Sequence, residues 1–105
     1  MEEAGLDVRV VDGAPTARIV LSGRLDTVSA PAFQEQALSL VADATTFVLD
    51  CSELSYLSSA GLRTLLLIHK RLMAKGARLA LDGVVPSVRD VLDLTGFSGI
   101  FDVLG

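Results

Sequence analysis

Residues 46–73 read TFVLDCSELSYLSSAGLRTLLLIHKRLM, from Thr46 to Met73, and this stretch decides the fold. Thr46 to Cys51 is a short, almost continuous apolar run rich in β-formers, the pattern of a strand covered on both faces and set centrally in a sheet. From Ser59 onward the period changes. Leu62, Leu65, Leu66, His69, Leu72 and Met73 recur at i, i+3, i+4 and i+7, while Arg63, Lys70 and Arg71 fall largely elsewhere on the wheel. This is an amphipathic helix closed by Gly76, with Lys70, Arg71 and Lys75 in its last turns, where cations suit the macrodipole. Between strand and helix stand Ser55, Ser58 and Ser59. Ser58 or Ser59 fits an N-cap, worth about 1 kcal/mol relative to alanine. A hydroxyl there lies beside free N–H groups at the positive end of the helix, where a phosphate is tolerated without unfolding the chain.

Working outward, Leu6 to Val11 alternates apolar and polar residues, Asp12-Gly13 supplies a turn, and Ala17 to Leu21 is a second strand, giving an opening β-hairpin. Ser22-Gly23 breaks that strand. Ser29 as cap and Pro31 as early-turn proline open a helix that carries Phe33, Ala37, Leu38 and Val41 and ends near Asp43. On the other side, Arg78 to Leu81 reads as a strand, and Pro86-Ser87 starts a third helix with Val88, Val91, Leu92 and Leu94 that Gly96 stops. A last short strand surrounds Phe101 to Val103. The order ββαβαβαβ implies an α/β fold, a single domain over residues 1–105 with a mixed β-sheet and packed α-helices. Residues 1–5 are expected to be disordered.

Composition narrows the function. The chain has 105 residues, half of them apolar, enough for one hydrophobic core and one domain. Thirteen acids against nine bases give a net charge of −4, and no basic patch is visible, which argues against direct nucleic-acid binding. The longest run free of Asp, Glu, Lys and Arg is Leu54 to Leu62, about half of what a membrane-spanning helix requires. Met1-Glu2-Glu3 has the wrong charge for a signal peptide, so no membrane insertion and a cytoplasmic location are expected. One cysteine and one histidine supply neither a disulfide nor a structural zinc site, and no metal or cofactor is expected.

Each candidate for chemistry has a plainer structural counterpart. His69 lies near the apolar stripe of its helix, so core-edge packing competes with a general-base role. Cys51 ends a central strand, where a nucleophile is often found, yet no nearby histidine activates it and a buried inert thiol is the plainer reading. Asp50 and Glu53 are either an acid–base pair or loop caps. Around Gly23 and Gly61 the GxxxxGK[ST] and GxGxxG spacings are missing, so no phosphate cradle is indicated. Phe97, Ile100, Phe101 and Leu104 fit a partner patch and core packing equally well. No enzyme is indicated.

Asp50 to Leu62, DCSELSYLSSAGL, resembles the signature of STAS domains, specifically the stand-alone anti-sigma-factor antagonists of bacteria. Leu21-Ser22-Gly23-Arg24-Leu25-Asp26 resembles their other hallmark, a strand ending in L-x-G-x-L-D. The two motifs stand in the family's order, and the resemblance covers nearly the whole chain. It implies that Ser59, two residues before the motif glycine, is phosphorylated by an anti-sigma factor that is also a serine kinase, with Ser58 the alternative acceptor. The family's aspartate before the serine is Ser58 here, and its following serine is Ala60. The resemblance further implies partner switching: the unmodified chain binds the anti-sigma factor, phosphorylation prevents binding, and a serine phosphatase resets the cycle. Asp26, Leu57, Ser58, Ser59 and Arg63 are the expected partner contacts, on a monomer or weak dimer. The alternative is a docking subunit of a lipid-transport ATPase or a stressosome, without a sigma cycle.

Overall fold

The computed structural model describes residues 5–104. Its elements are β1 (Leu6–Asp12), β2 (Thr16–Leu25), α1 (Ala30–Val41), β3 (Thr46–Leu57), α2 (Ser59–Met73), β4 (Leu79–Asp82), α3 (Pro86–Thr95), a 3-10 turn (Phe97–Gly99) and β5 (Asp102–Leu104). The expected order holds; only the 3-10 turn after Gly96 was not anticipated. Of the residues expected to be disordered, 1–4 lie outside the described ones, and the Gly5 carbonyl accepts from Arg24 N–H at 3.2 Å.

The strands lie side by side in chain order, β1-β2-β3-β4-β5, the first pair antiparallel and the rest parallel. Each parallel step is made by one helix. Matched rows of the sheet then explain the burial: Ala17, Phe47 and Leu79 are register partners across β2, β3 and β4, as are Ile19, Leu49 and Leu81, and all six are buried. They join Phe33, Ala37 and Val41 of α1, Leu65, Ile68 and Leu72 of α2, and Val88 and Leu92 of α3 in one core cluster.

Three expectations are corrected. Apart from buried Val20 on β2, the alternate rows of the sheet carry Arg18, Val48, Asp50, Ala80 and Asp82, all only half-buried, so β3 is covered on one face and not on both. Arg18 links the two carboxylates there, at 3.3 Å from Asp50 and 3.0 Å from Asp82. Next, Ser22-Gly23 does not end β2. Gly23 takes φ +110°, a conformation open to glycine, and pairing continues with Leu6 on one side and Leu54 on the other. A Cβ at this position would also collide with the Gly5 carbonyl.

Finally, β3 runs on to Leu57, well past Cys51. The register moves from Val20↔Asp50 to Ser22↔Glu53 and from Gly23↔Leu54 to Arg24↔Tyr56, so β3 carries one extra residue at each irregularity. Its buried residues are therefore Phe47, Leu49 and Cys51, then Leu54 and Leu57, a spacing of two that becomes three. Smaller differences are a three-residue hairpin connection, Gly13 to Pro15 with a cis Ala14–Pro15 bond, and a one-residue shift of β4.

Candidate functional site

β2 and β3 end level with each other, Leu25 opposite Leu57, and the two loops that follow form one surface. Ser58 N–H donates to the Leu25 carbonyl at 3.0 Å and ties the loops together. Gly61 lets the first turn of α2 sit against this junction, since a Cβ there would stand 2.8 Å from both the Leu25 carbonyl and Leu57 Cδ1. Leu57 is only 3% exposed, so it supports the loop from below and is not available as the contact the motif suggested.

In the first loop Asp26 acts on its own backbone. Its Oδ1 accepts from Val28 N–H at 3.0 Å and Ser29 N–H at 3.1 Å, and its carbonyl accepts from Ala30 N–H at 2.8 Å. Ser29 stands at the cap position of α1 but its hydroxyl makes no cap bond. With φ −88° and ψ −20° its backbone is already helical, whereas a capping residue takes extended angles. The Ser29 hydroxyl donates instead to the Arg24 carbonyl at 2.8 Å and accepts from Asp26 N–H. The Ser29 N–H foremost, then the Val28 N–H and the Arg24 guanidinium at 3.6 Å, hold the Asp26 carboxyl below its ordinary range against some desolvation. Arg24 also lies over the Tyr56 ring, 4.1 Å from its centre. Val28, at 89% exposure, is left projecting from this braced turn.

The two serines of the second loop have different duties. Ser58 has extended angles (φ −92°, ψ 173°), and its Oγ accepts from Gly61 N–H at 3.2 Å: it is the N-cap of α2. Its carbonyl accepts from Leu62 N–H at 2.9 Å. Ser59 is the first helical residue, and its exposed hydroxyl bonds to no described residue. Arg63, one turn on, is exposed and lines a groove of about 460 Å³ between α1 and α2 with Thr27, Pro31, Gln34, Ala60 and Thr64. Thr64 Oγ1 donates to Gln34 Oε1 at 3.4 Å across its floor. The reading from sequence missed Thr27, Gln34 and Thr64, because only the docking of two helices thirty residues apart brings them together.

The other candidates fall elsewhere. Cys51 is buried, and burial pushes its thiol up to about 12, so it is protonated and far from nucleophilic. His69 is 2% exposed; its Nδ1 accepts from Leu79 N–H at 3.2 Å and its ring meets the edge of Phe101 at 5.4 Å. Asp50 is held below its ordinary range by Ser52, whose hydroxyl and N–H both donate to Oδ1, and by Arg18 on Oδ2, so its carboxylate is a weak base already engaged on both oxygens. Of the C-terminal apolar residues Phe101 is core, Phe97 packs on it at 5.9 Å, and Ile100 and Leu104 remain exposed. Among the described residues no helix is long and apolar enough to cross a membrane.

Three comparisons place this arrangement among known proteins. A 56-residue stretch is 46% identical to BtrV of Bordetella bronchiseptica, named as an anti-sigma factor antagonist; it covers 53% of this chain and about half, 48%, of that protein. The crystal structure of an anti-sigma factor antagonist from Mycobacterium paratuberculosis is 28% identical and superposes with a TM-score of 0.81 over 93% of this chain and 84% of its own. The Bacillus antagonist SpoIIAA, 22% identical, shares the fold in its unphosphorylated form, with a TM-score of 0.79 over 95% of this chain and 88% of its own, and in its phosphorylated form at 0.71 over 95% and 91%. The model of the STAS domain matches residues 6–104, nearly the whole chain, and with the L-x-G-x-L-D strand and the serine turn side by side in the structure, the chain belongs to the STAS domain family.

Proposed function

We propose that this chain is an anti-sigma factor antagonist: unmodified, it binds an anti-sigma factor that doubles as a serine kinase, and phosphorylation of Ser59 releases it until a phosphatase restores the hydroxyl. The observation that carries the reading is the division between the serines. Ser58 commits its Oγ to Gly61 N–H, whereas Ser59 is exposed, with a hydroxyl that bonds to no described residue, at the edge of the joined loops. In the modification the Ser59 Oγ–H bond is replaced by an Oγ–P bond, ADP leaves from the ATP held by the kinase, and the hydroxyl proton passes to the kinase or solvent. The chain itself supplies an acceptor and a docking surface, not catalytic groups.

The switch needs no refolding. A phosphate adds roughly −1.5 to −2 charges to the surface a partner must cover. Burying such a charge unpaired costs several kcal/mol, and each ~1.4 kcal/mol weakens binding about tenfold. The test is capture of endogenous partners on the purified protein, incubation of the captured kinase with ATP, and mapping of phosphate by mass spectrometry. Phosphate on Ser59 and lost binding by Ser59→Asp are expected. A Ser59→Asp protein that binds the anti-sigma factor as wild type does sinks the proposal. Capture of a transporter ATPase or a stressosome without phosphate replaces it with constitutive docking.

A further inference from the structure

If Ser59 is the phosphate acceptor, the structure also says what receives the phosphate within the chain. We propose that Arg63 pairs with phosphorylated Ser59 in cis, holding the phosphate along α2 and neutralising the cation that lines the groove between α1 and α2. Ser59 and Arg63 are four residues apart on one helix and share a face. Helical Cα–Cβ bonds lean towards the N-terminus, so the side chain of Arg63, from its place in the groove, is within reach of the turn that begins with Ser59. An anion N-terminal to a cation at this spacing is the favourable orientation.

Several neighbouring donors are committed elsewhere, while the Ser59 and Ala60 N–H groups, which bond to no described residue, are the same whatever stands at position 63. Arg24 is engaged by the Asp26 carboxylate and the Tyr56 ring, and the Gly61 and Leu62 N–H groups are taken by Ser58. Arg63 makes no ion pair with a described residue, and α2 has no acidic side chain in its first turn. A guanidinium offers two parallel N–H donors to two phosphate oxygens, a match that a lysine ammonium lacks. Arg63 is the one charged side chain among the described residues that line the groove, so a phosphate paired with it cancels the groove's positive charge. The phosphate then acts on the groove as well as on the serine loop.

The test is a phosphorus NMR pH titration of the full chain carrying phosphoserine co-translationally incorporated at position 59, with Arg63 intact, as R63K and as R63Q. The pairing lowers the phosphate's second pKa in the Arg63 protein relative to R63Q by about 0.15–0.4 unit, the size expected of an i,i+4 pair, with R63K between them. Equal midpoints in the Arg63 and R63Q proteins overturn the proposal. So does a phosphoserine protein whose circular dichroism shows it unfolded while S59A is folded. Because the phosphate is installed without a kinase, failure of cellular kinases to modify Ser59 sinks the proposed function and leaves this result standing.

Discussion

At the level of single residues, two adjacent hydroxyls that are equivalent in the sequence are separated by one backbone angle. Ser58 is extended and so directs its Oγ over the first turn of α2, while Ser59 has entered the helix and cannot. Ser58→Ala therefore loses about 1 kcal/mol of stability, the usual value of a cap, whereas Ser59→Ala stays within ~0.5 kcal/mol of wild type. Urea midpoints for the two variants check this, and equal losses would contradict it. The motif made Ser59 and Asp26 visible in the sequence. It did not show that Asp26 is spent on Val28 and Ser29 N–H, because that bond depends on a turn geometry and not on a spacing.

Among the elements, β3 is the one whose sequence misleads. Strand patterns are recognised by a period of two, and β3 keeps that period only as far as Cys51, after which two irregularities shift its buried positions to Leu54 and Leu57. Residues 52–57 consequently look like a loop, although Leu54 is 1% exposed in the core. Leu54→Ala should cost about 2–5 kcal/mol, the range for a buried leucine, where a loop leucine would cost almost nothing. Thermal or urea unfolding distinguishes the two. Helices α2 and α3 were legible because their apolar stripes and terminal glycines are local signals, and Gly96 does close α3 in the left-handed conformation. The groove was not legible, since it belongs to neither helix alone.

For the molecule as a whole, acid sensitivity is set by the core rather than by the surface. His69 is buried and neutral with Nδ1 accepting from Leu79 N–H, and its pKa is lowered from 6.5, chiefly by burial and then by Arg78, with Asp102 opposing. Below pH 6.5 the unfolded chain takes up a proton that the folded chain resists, so stability is fully present above that value and declines as pH falls towards the folded pKa. Asp26 and Asp50, lowered from 3.8, stabilise the fold above that value and lose their contribution only in stronger acid. Urea midpoints should thus fall between pH 7.5 and 5, and His69→Gln should flatten that window. An unchanged slope in the variant would mean that another group titrates there.

The strand order has a consequence for how the chain is made. Each strand lies beside the one before it, so no pairing waits for a segment synthesised later, and each closes a loop only as long as one helix and its turns. This sequential order favours assembly in the direction of translation, although parallel pairings such as Thr16 with Thr46 and Phe47 with Leu79 form more slowly than a hairpin. The bonds that join the two loops and brace the serine turn run between Gly23 and Thr64, with none from β4, α3 or β5. The serine turn therefore draws all of these bonds from residues that precede β4 in the chain.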